Sequence, residues 1–276
     1  MKKFIFTLLA LSNHLLVNSF ITPIVTSVKK LNEHFYKTYE PAGTIYGTHA
    51  NQCIFYPGLY GTVPNELYQS FLGKLAANNL TVHVLDAKMK NSYINIKSIV
   101  YNNPTTIIAH SSGAYEAIEA SKYLDNVDRL VLLDPVNMQS GPQIGFDIFM
   151  PFMEKKEDKV IYKLPTSIKE VVIINAKKSY KWTFFPFKPP FIPIFSISPD
   201  QFEGVKKSVI ETEEHGHSDI LDYYWSNIMH NTLSEGLSER DEVKIDQYHA
   251  WVAKKIAGHV ITDEPMPRLA SGKWDF

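Results

Sequence analysis

The chain has 276 residues, enough for one full α/β domain and tight for two. Lys plus Arg number 28 against 29 Asp plus Glu, so a formal charge of −1 gives no electrostatic reason to expect a nucleic-acid partner. Hydrophobic residues are 45% of the chain, ample for a core, and the single cysteine, Cys53, excludes an intramolecular disulfide or a thiolate metal cluster.

Lys2 and Lys3 precede an apolar stretch at residues 4–11, extended by Leu15, Leu16 and Val17. Val17 and Ser19 are small enough for the −3 and −1 sites of a signal-peptidase cut, so residues 1–19 are expected to be a secretory signal. Ser12, Asn13 and His14 interrupt the run, which argues against a membrane-spanning anchor. A cut after Ser19 would expose Phe20, an arrangement that resembles the bipartite plastid leaders of algae with secondary plastids. Thr22, Thr26, Ser27, Lys29 and Lys30, with no acid before Glu33, fit a transit segment. The expected organisation is a leader at 20–45, a domain at 46–265 and a tail at 266–276. The expected destination is outside the cell or, with such a leader, a plastid.

Residues 52–56 form a short apolar strand ending at Pro57-Gly58, with Cys53 buried in it. A helix over 64–78 carries Leu67, Phe71 and Leu75 on one face. Strands are predicted at 81–85, 105–109, 129–133, 170–176 and 208–212, and helices at 92–101, 114–123 and 243–257. Near-continuous apolar strands alternating with amphipathic helices indicate an α/β fold, a mostly parallel central sheet with helices on both faces. Two stretches break the pattern, 141–154 and 182–197, which together carry eight Phe and one Trp. They are too apolar for disorder, so they either cap the core or contact a greasy ligand, and Phe149, Phe184 and Phe185 are the candidate substrate contacts.

Ala109-His110-Ser111-Ser112-Gly113 follows a strand and precedes a helix, the setting of a nucleophile elbow in the α/β-hydrolase fold. The positions two before and two after the nucleophile must be small, which favours Ser111 over Ser112, since bulky His110 would then occupy a small position. The oxyanion donors expected for such an elbow are the N–H of Ser112 and the N–H of Leu59, in the Pro57-Gly58-Leu59 loop after the early strand.

The base of this fold lies late in the chain, where His215-Gly216-His217-Ser218-Asp219 stands. A tight loop at Gly216 would aim His217 at the elbow, leaving His215 as an exposed neighbour. The same segment imitates a His-x-His-x-Asp metal signature, but Ile220 stands where a further His is needed, so no metal is expected. The acid commonly follows the 170–176 strand, but Lys177-Lys178-Ser179-Tyr180 offers no carboxylate. Asp134, directly after the preceding strand, is the candidate, with Asp219 the next to test.

With these residues placed, the chain from about 51 to 260 resembles the chlorophyllase branch of the α/β hydrolases. The likeness rests on the Ser111 elbow, on Asp134-Pro135-Val136, and on Gly216-His217-Ser218-Asp219-Ile220-Leu221-Asp222, with Ser198-Pro199-Asp200-Gln201-Phe202 ahead of the last. The family elbow reads Gly-His-Ser-Arg-Gly-Gly; here Ala109, Ser112 and Ala114 replace the first Gly, the Arg and the last Gly. The resemblance implies hydrolysis of a carboxylic ester, chlorophyll to chlorophyllide and phytol, by a Ser111–His217–Asp134 triad without a cofactor. It implies a hydrophobic ester, chlorophyll or lipid, as partner, and contact with a membrane periphery. A general lipase or carboxylesterase would share every one of these residues. A non-catalytic receptor or scaffold of the same fold would not need them intact.

Overall fold

The structure, a computed structural model, describes residues 24–31, 34–41, 51–61, 63–85, 105–137, 160–181, 196–233 and 241–258. The expected signal at 1–19, the helix at 92–101, the stretch 141–154 and the tail at 266–276 lie outside these residues, as does the stretch 182–197 except for Ser196 and Ile197. The described strands are β1 Ile24–Leu31, β2 His34–Pro41, β3 Asn51–Tyr56, β4 Leu80–Leu85, β5 Thr105–His110, β6 Val127–Leu133, β7 Glu170–Ala176 and β8 Lys206–Thr212. The described helices are numbered here α1 Gly58–Gly61, α2 Gln69–Ala77, α3 Gly113–Ser121, α4 Tyr223–Leu233 and α5 Glu242–Ile256.

The strands form one sheet in the order β1-β2-β4-β3-β5-β6-β7-β8, parallel from β4 through β8, with β1 and β2 antiparallel at one edge. The inner parallel strands are mostly apolar on both sides because both sides are covered, whereas β8, at the edge, is half-polar and largely exposed. Cys53 and Phe55 of β3 face a core built with Phe71, Leu72 and Leu75 of α2 and Tyr248, Val252 and Ile256 of α5. Ile54 and Tyr56 face the opposite core, with Ala114, Ala117 and Ile118 of α3. Cys53 is fully buried, and burial pushes its thiol up to about 12, so it is a packing residue rather than a reactive one.

Two departures from expectation stand out. The sheet extends into the range expected as a leader: β1 and β2 form a hairpin whose second strand pairs with β4. Thr38 and His83 face each other in that register and share a 3.2 Å hydrogen bond between Oγ1 and Nδ1, and Tyr39 is buried. The β-branched and aromatic content of this stretch (Val25, Thr26, Val28, Phe35, Tyr36, Thr38) was the available signal. The expected single helix over 64–78 is a 3-10 turn, Asn65–Tyr68, followed by α2. Its first α-helical N–H groups are met by a carboxylate from far along the chain, Asp222, whose Oδ1 accepts from the Ser70 N–H at 2.9 Å.

Sheet order positions the site. From β3 the chain goes to β4 on one side, then crosses to β5 on the other. The loops leaving the carboxyl ends of β3 and β5 therefore lie side by side at the point where the strand order reverses, which is where open α/β sheets place ligands.

Candidate active site

Ser111 sits between β5 and α3 with φ +56, a left-handed conformation that L side chains adopt rarely. The turn is held from three sides. The Ser111 N–H donates to Leu133 O at 3.0 Å, while the Ser111 carbonyl accepts from the N–H groups of Ala114 and Val136, each at 3.1 Å. The small residue two after Ser111 is a steric necessity, because a Cβ on Gly113 would lie 2.4 Å from the Pro57 carbonyl oxygen and 2.7 Å from that of Tyr56. The same close approach seats the loop after β3 on the elbow. A Cβ on Gly58 would stand 3.3 Å from the Ser111 Cβ.

The His217 ring faces this serine, with Nε2 2.8 Å from Ser111 Oγ. On the ring's other side Nδ1 lies 3.6 Å from Asp134 Oδ2, an ion-pair separation longer than a hydrogen bond. Ser111, His217 and Asp134 are all buried, at 7%, 5% and 8% exposure, so their electrostatics act in a medium poorer in water than the surface. Asp134 has φ +42 and follows β6, its N–H donating to Ile174 O at 2.9 Å. Its carboxylate is fixed at both oxygens: Oδ1 accepts the Ala176 N–H and Oδ2 the Ser179 hydroxyl, each at 2.7 Å. The end of β7 and the 3-10 turn after it, Lys177–Lys181, where the acid commonly stands, here supply the groups that hold it.

Leu59 lies in the first turn of α1 with φ +50 and a half-exposed side chain, while Ser112 is fully buried at the start of α3. Among the described residues, four non-glycines have positive φ: Leu59, Asn79, Ser111 and Asp134. Three of these are site residues named from sequence, and clustered strain of this kind points to function. Phe149, Phe184 and Phe185 lie outside the described residues. The chain that flanks their stretches is described, and it runs past the acid. Val136 bridges Ser196, and the Ile197 N–H donates to Pro135 O at 2.9 Å.

The base loop corrects two expectations. His215 is not an exposed neighbour: it is 5% exposed, and its ring stacks on Tyr248 of α5 at 4.1 Å between centroids and 12° between planes. Its backbone carbonyl accepts the Lys178 N–H at 3.1 Å, which ties the end of β8 to the end of β7 and turns the ring into the core. Gly216 has extended backbone, φ −116 and ψ 175, open to any residue, so no special turn aims His217. Asp219 shapes the loop instead. Its Oδ2 accepts the Gly216 N–H and its Oδ1 the Ser226 hydroxyl, both at 2.8 Å, and its carbonyl meets Nε2 of fully buried His249 at 2.8 Å. His215 and His217 thus diverge, one toward Asp219 and one toward Ser111, and do not converge on a shared ligand position. Among the described residues no group of three or more His, Cys, Asp or Glu is placed to hold a metal ion.

The remaining acid of the motif, Asp222, lies half-buried beneath the α2 N-terminus, and desolvation raises its carboxyl to about 6 despite the backbone N–H groups it accepts. Sequence reasoning missed Ser179, Tyr68 and His110 as parts of the site. Ser179 was visible only as the lack of a carboxylate after β7.

No protein-family model matches the chain, and no curated protein matches it. Solved structures do. A hyperthermophilic esterase from the archaeon Pyrobaculum calidifontis aligns over 95% of this chain and 93% of its own, with 14% identity and a TM-score of 0.53. The fold is that of the α/β hydrolases. A variant of the esterase rPPE aligns over 92% of this chain and 89% of its own, with 11% identity and a TM-score of 0.52. A protein of Staphylococcus aureus assigned to the esterases aligns over 92% and 91%, again with 11% identity and a TM-score of 0.52. At these identities the α/β-hydrolase likeness speaks for architecture. The chemistry is argued from the residues.

Proposed function

We propose that this α/β hydrolase cleaves carboxylic esters through an acyl-enzyme on Ser111. The observation that carries the reading is the 2.8 Å contact of His217 Nε2 with the hydroxyl of a serine held at φ +56, with Asp134 behind the imidazole. His217 accepts the Ser111 proton as Oγ attacks the ester carbonyl, and Asp134 orients the ring and stabilises the imidazolium. The N–H groups of Leu59 and Ser112 receive the oxyanion. The alcohol leaves with the proton from His217, and water, activated by the same His217, releases the acid and restores Ser111. Esterases among the structures of the same fold support the reaction class.

The substrate is proposed to be a long apolar ester, chlorophyll by the Asp134-Pro135-Val136 and Gly216-His217 resemblance, met by Phe149, Phe184 and Phe185 and delivered from a membrane periphery. The N-terminal signal and a plastid or extracellular destination belong to the same proposal. A second reading, a general long-chain esterase or lipase, is favoured by Ser112, which stands where the chlorophyllase elbow has Arg. A fluorophosphonate probe tests the chemistry. It should label the protein and Ser112→Ala but not Ser111→Ala, and labelling of a folded Ser111→Ala would remove the reading. Turnover of chlorophyll against a panel of acyl esters separates the two substrates.

A further inference from the structure

The residue before the nucleophile takes no part in the chemistry above, yet both its ring nitrogens are engaged. His110 is 4% exposed; its Nε2 lies 3.0 Å from the carbonyl oxygen of His217 and its Nδ1 2.9 Å from the Tyr68 hydroxyl. Tyr68 is fully buried, and its oxygen accepts the Gly58 N–H at 3.0 Å. The donors and acceptors leave one arrangement. A carbonyl only accepts, so Nε2 of His110 carries the ring proton. A neutral imidazole has one such proton, so Nδ1 accepts from the Tyr68 O–H, and the Tyr68 oxygen takes the Gly58 N–H. Burial and the neighbouring His217 hold His110 well below the usual histidine range, which keeps it neutral. A single directed chain of hydrogen bonds therefore runs from the loop after β3, through the last residue of β5, to the backbone of the base loop.

We infer that Tyr68 and His110 are positioning residues that set the Gly58-Leu59 segment and His217 against each other across the elbow. The inference rests on the ester-hydrolase reading. Gly58 is the residue before the proposed oxyanion donor, and anchoring its N–H fixes the Pro57-Gly58 peptide, the unit next to the one that carries the N–H of Leu59, itself at φ +50. The His217 carbonyl is the root of the base, and anchoring it fixes where the imidazole starts. These two groups must be correctly spaced at one moment, when the oxyanion forms and His217 holds the proton. Misplacement by about 1 Å at such a point can cost about a hundredfold in rate.

Tyr68→Phe removes the hydroxyl but keeps the ring that packs edge-on against Phe55 at 5.0 Å and His110 at 5.7 Å. His110→Gln places an amide near the Nε2 position and can retain the bond to the His217 carbonyl while losing Tyr68. The variants are compared by kcat, KM, thermal midpoint and affinity for a boronic acid, whose Ser111 adduct puts an oxygen in the oxyanion position. Tyr68→Phe should lower kcat about ten- to a hundredfold with KM within about twofold, and weaken the boronic acid by the same factor as kcat/KM. Adding His110→Gln should cost little more, since residues acting as a unit are not additive. A folded Tyr68→Phe with unchanged kcat and boronate affinity overturns the inference, and so does a kcat loss that the boronate does not share. If Tyr68→Phe does not fold, His110→Gln alone carries the same comparison. A wild-type protein that no fluorophosphonate labels would sink the hydrolase reading itself, whereas a labelled wild type beside a fully active Tyr68→Phe would sink only this one.

Discussion

Asp134→Asn puts the acid assignment to a test in which geometry sets the outcome. The Ala176 N–H 2.7 Å from Oδ1 can only donate, so the oxygen of the introduced amide must turn toward it. The amide nitrogen then occupies the Oδ2 position, facing the Ser179 hydroxyl at 2.7 Å and Nδ1 of His217 at 3.6 Å. Ser179 can accept in place of donating, so the fold keeps its contacts. His217 cannot adapt without cost. An amide N–H facing Nδ1 selects the tautomer with its proton on Nε2, and that nitrogen can no longer take the Ser111 proton. The imidazolium also loses its counter-charge. A wrong tautomer in a triad costs about 10⁴ in kcat, or about 5.5 kcal/mol of barrier. The stability cost is smaller. Two charge-assisted hydrogen bonds become neutral ones, at about 1 to 1.5 kcal/mol each, which a domain of ordinary stability survives. The assay is kcat on a soluble acyl ester, with circular dichroism and urea unfolding to establish the fold. Near-normal turnover by folded Asp134→Asn would refute the assignment. Asp219→Asn would then be tested next, although its carboxylate already serves Gly216 and Ser226.

Gly113→Ala should abolish soluble expression or lower the thermal midpoint severely, because its Cβ would meet two backbone oxygens that cannot move independently of β3; a variant as stable as wild type would contradict the packing described here. Buried His249 is held down at about 4, so the unfolded chain binds more protons between that value and the ordinary ~6.5, and its contribution to stability is full above this window and lost as pH falls through it. The stability gap between wild type and His249→Gln should accordingly narrow by about 2 kcal/mol from pH ~6.5 to pH ~4.5 in urea titrations, and parallel curves would count against it. His215→Ala should cost about 2 kcal/mol of stability through the lost stack on Tyr248 while leaving kcat nearly unchanged, and a large loss of kcat at full stability would reopen the choice of base. If the aromatic stretches contact substrate, Phe184→Ser with Phe185→Ser should reduce kcat/KM for long-chain or phytyl esters far more than for acetyl esters, since remote apolar contacts supply about 25 cal/mol per Å² buried. Equal losses on both would assign these residues to the core.

Local patterning along the chain was enough to announce the elements whose chemistry is local. Apolar runs at β3, β5, β6 and β7 mark strands buried on both faces, and small residues around Ser111 are demanded by a turn whose own backbone enforces them. Asp134 could be named because it ends a strand at the edge where sites of this fold are built. The antiparallel hairpin of β1 and β2 left only a weak mark, its β-branched and aromatic content, since its half-polar strands lack the apolar run of a central parallel strand. Everything that depends on residues far apart in the chain was settled by folding. Ser179 holds Asp134 from 45 positions away, and Asp222 meets the α2 N-terminus from 152. His215 and His217 have nearly identical surroundings in sequence, yet the stack of Tyr248 and the pull of Asp219 send one ring into the core and leave the other to Ser111. Periodicity and turn chemistry record what a residue's neighbours in the chain require. Which hydrogen bond a buried ring finally makes depends on the donors and acceptors that folding brings within about 3 Å of it, and those come from strands and helices that no local pattern connects.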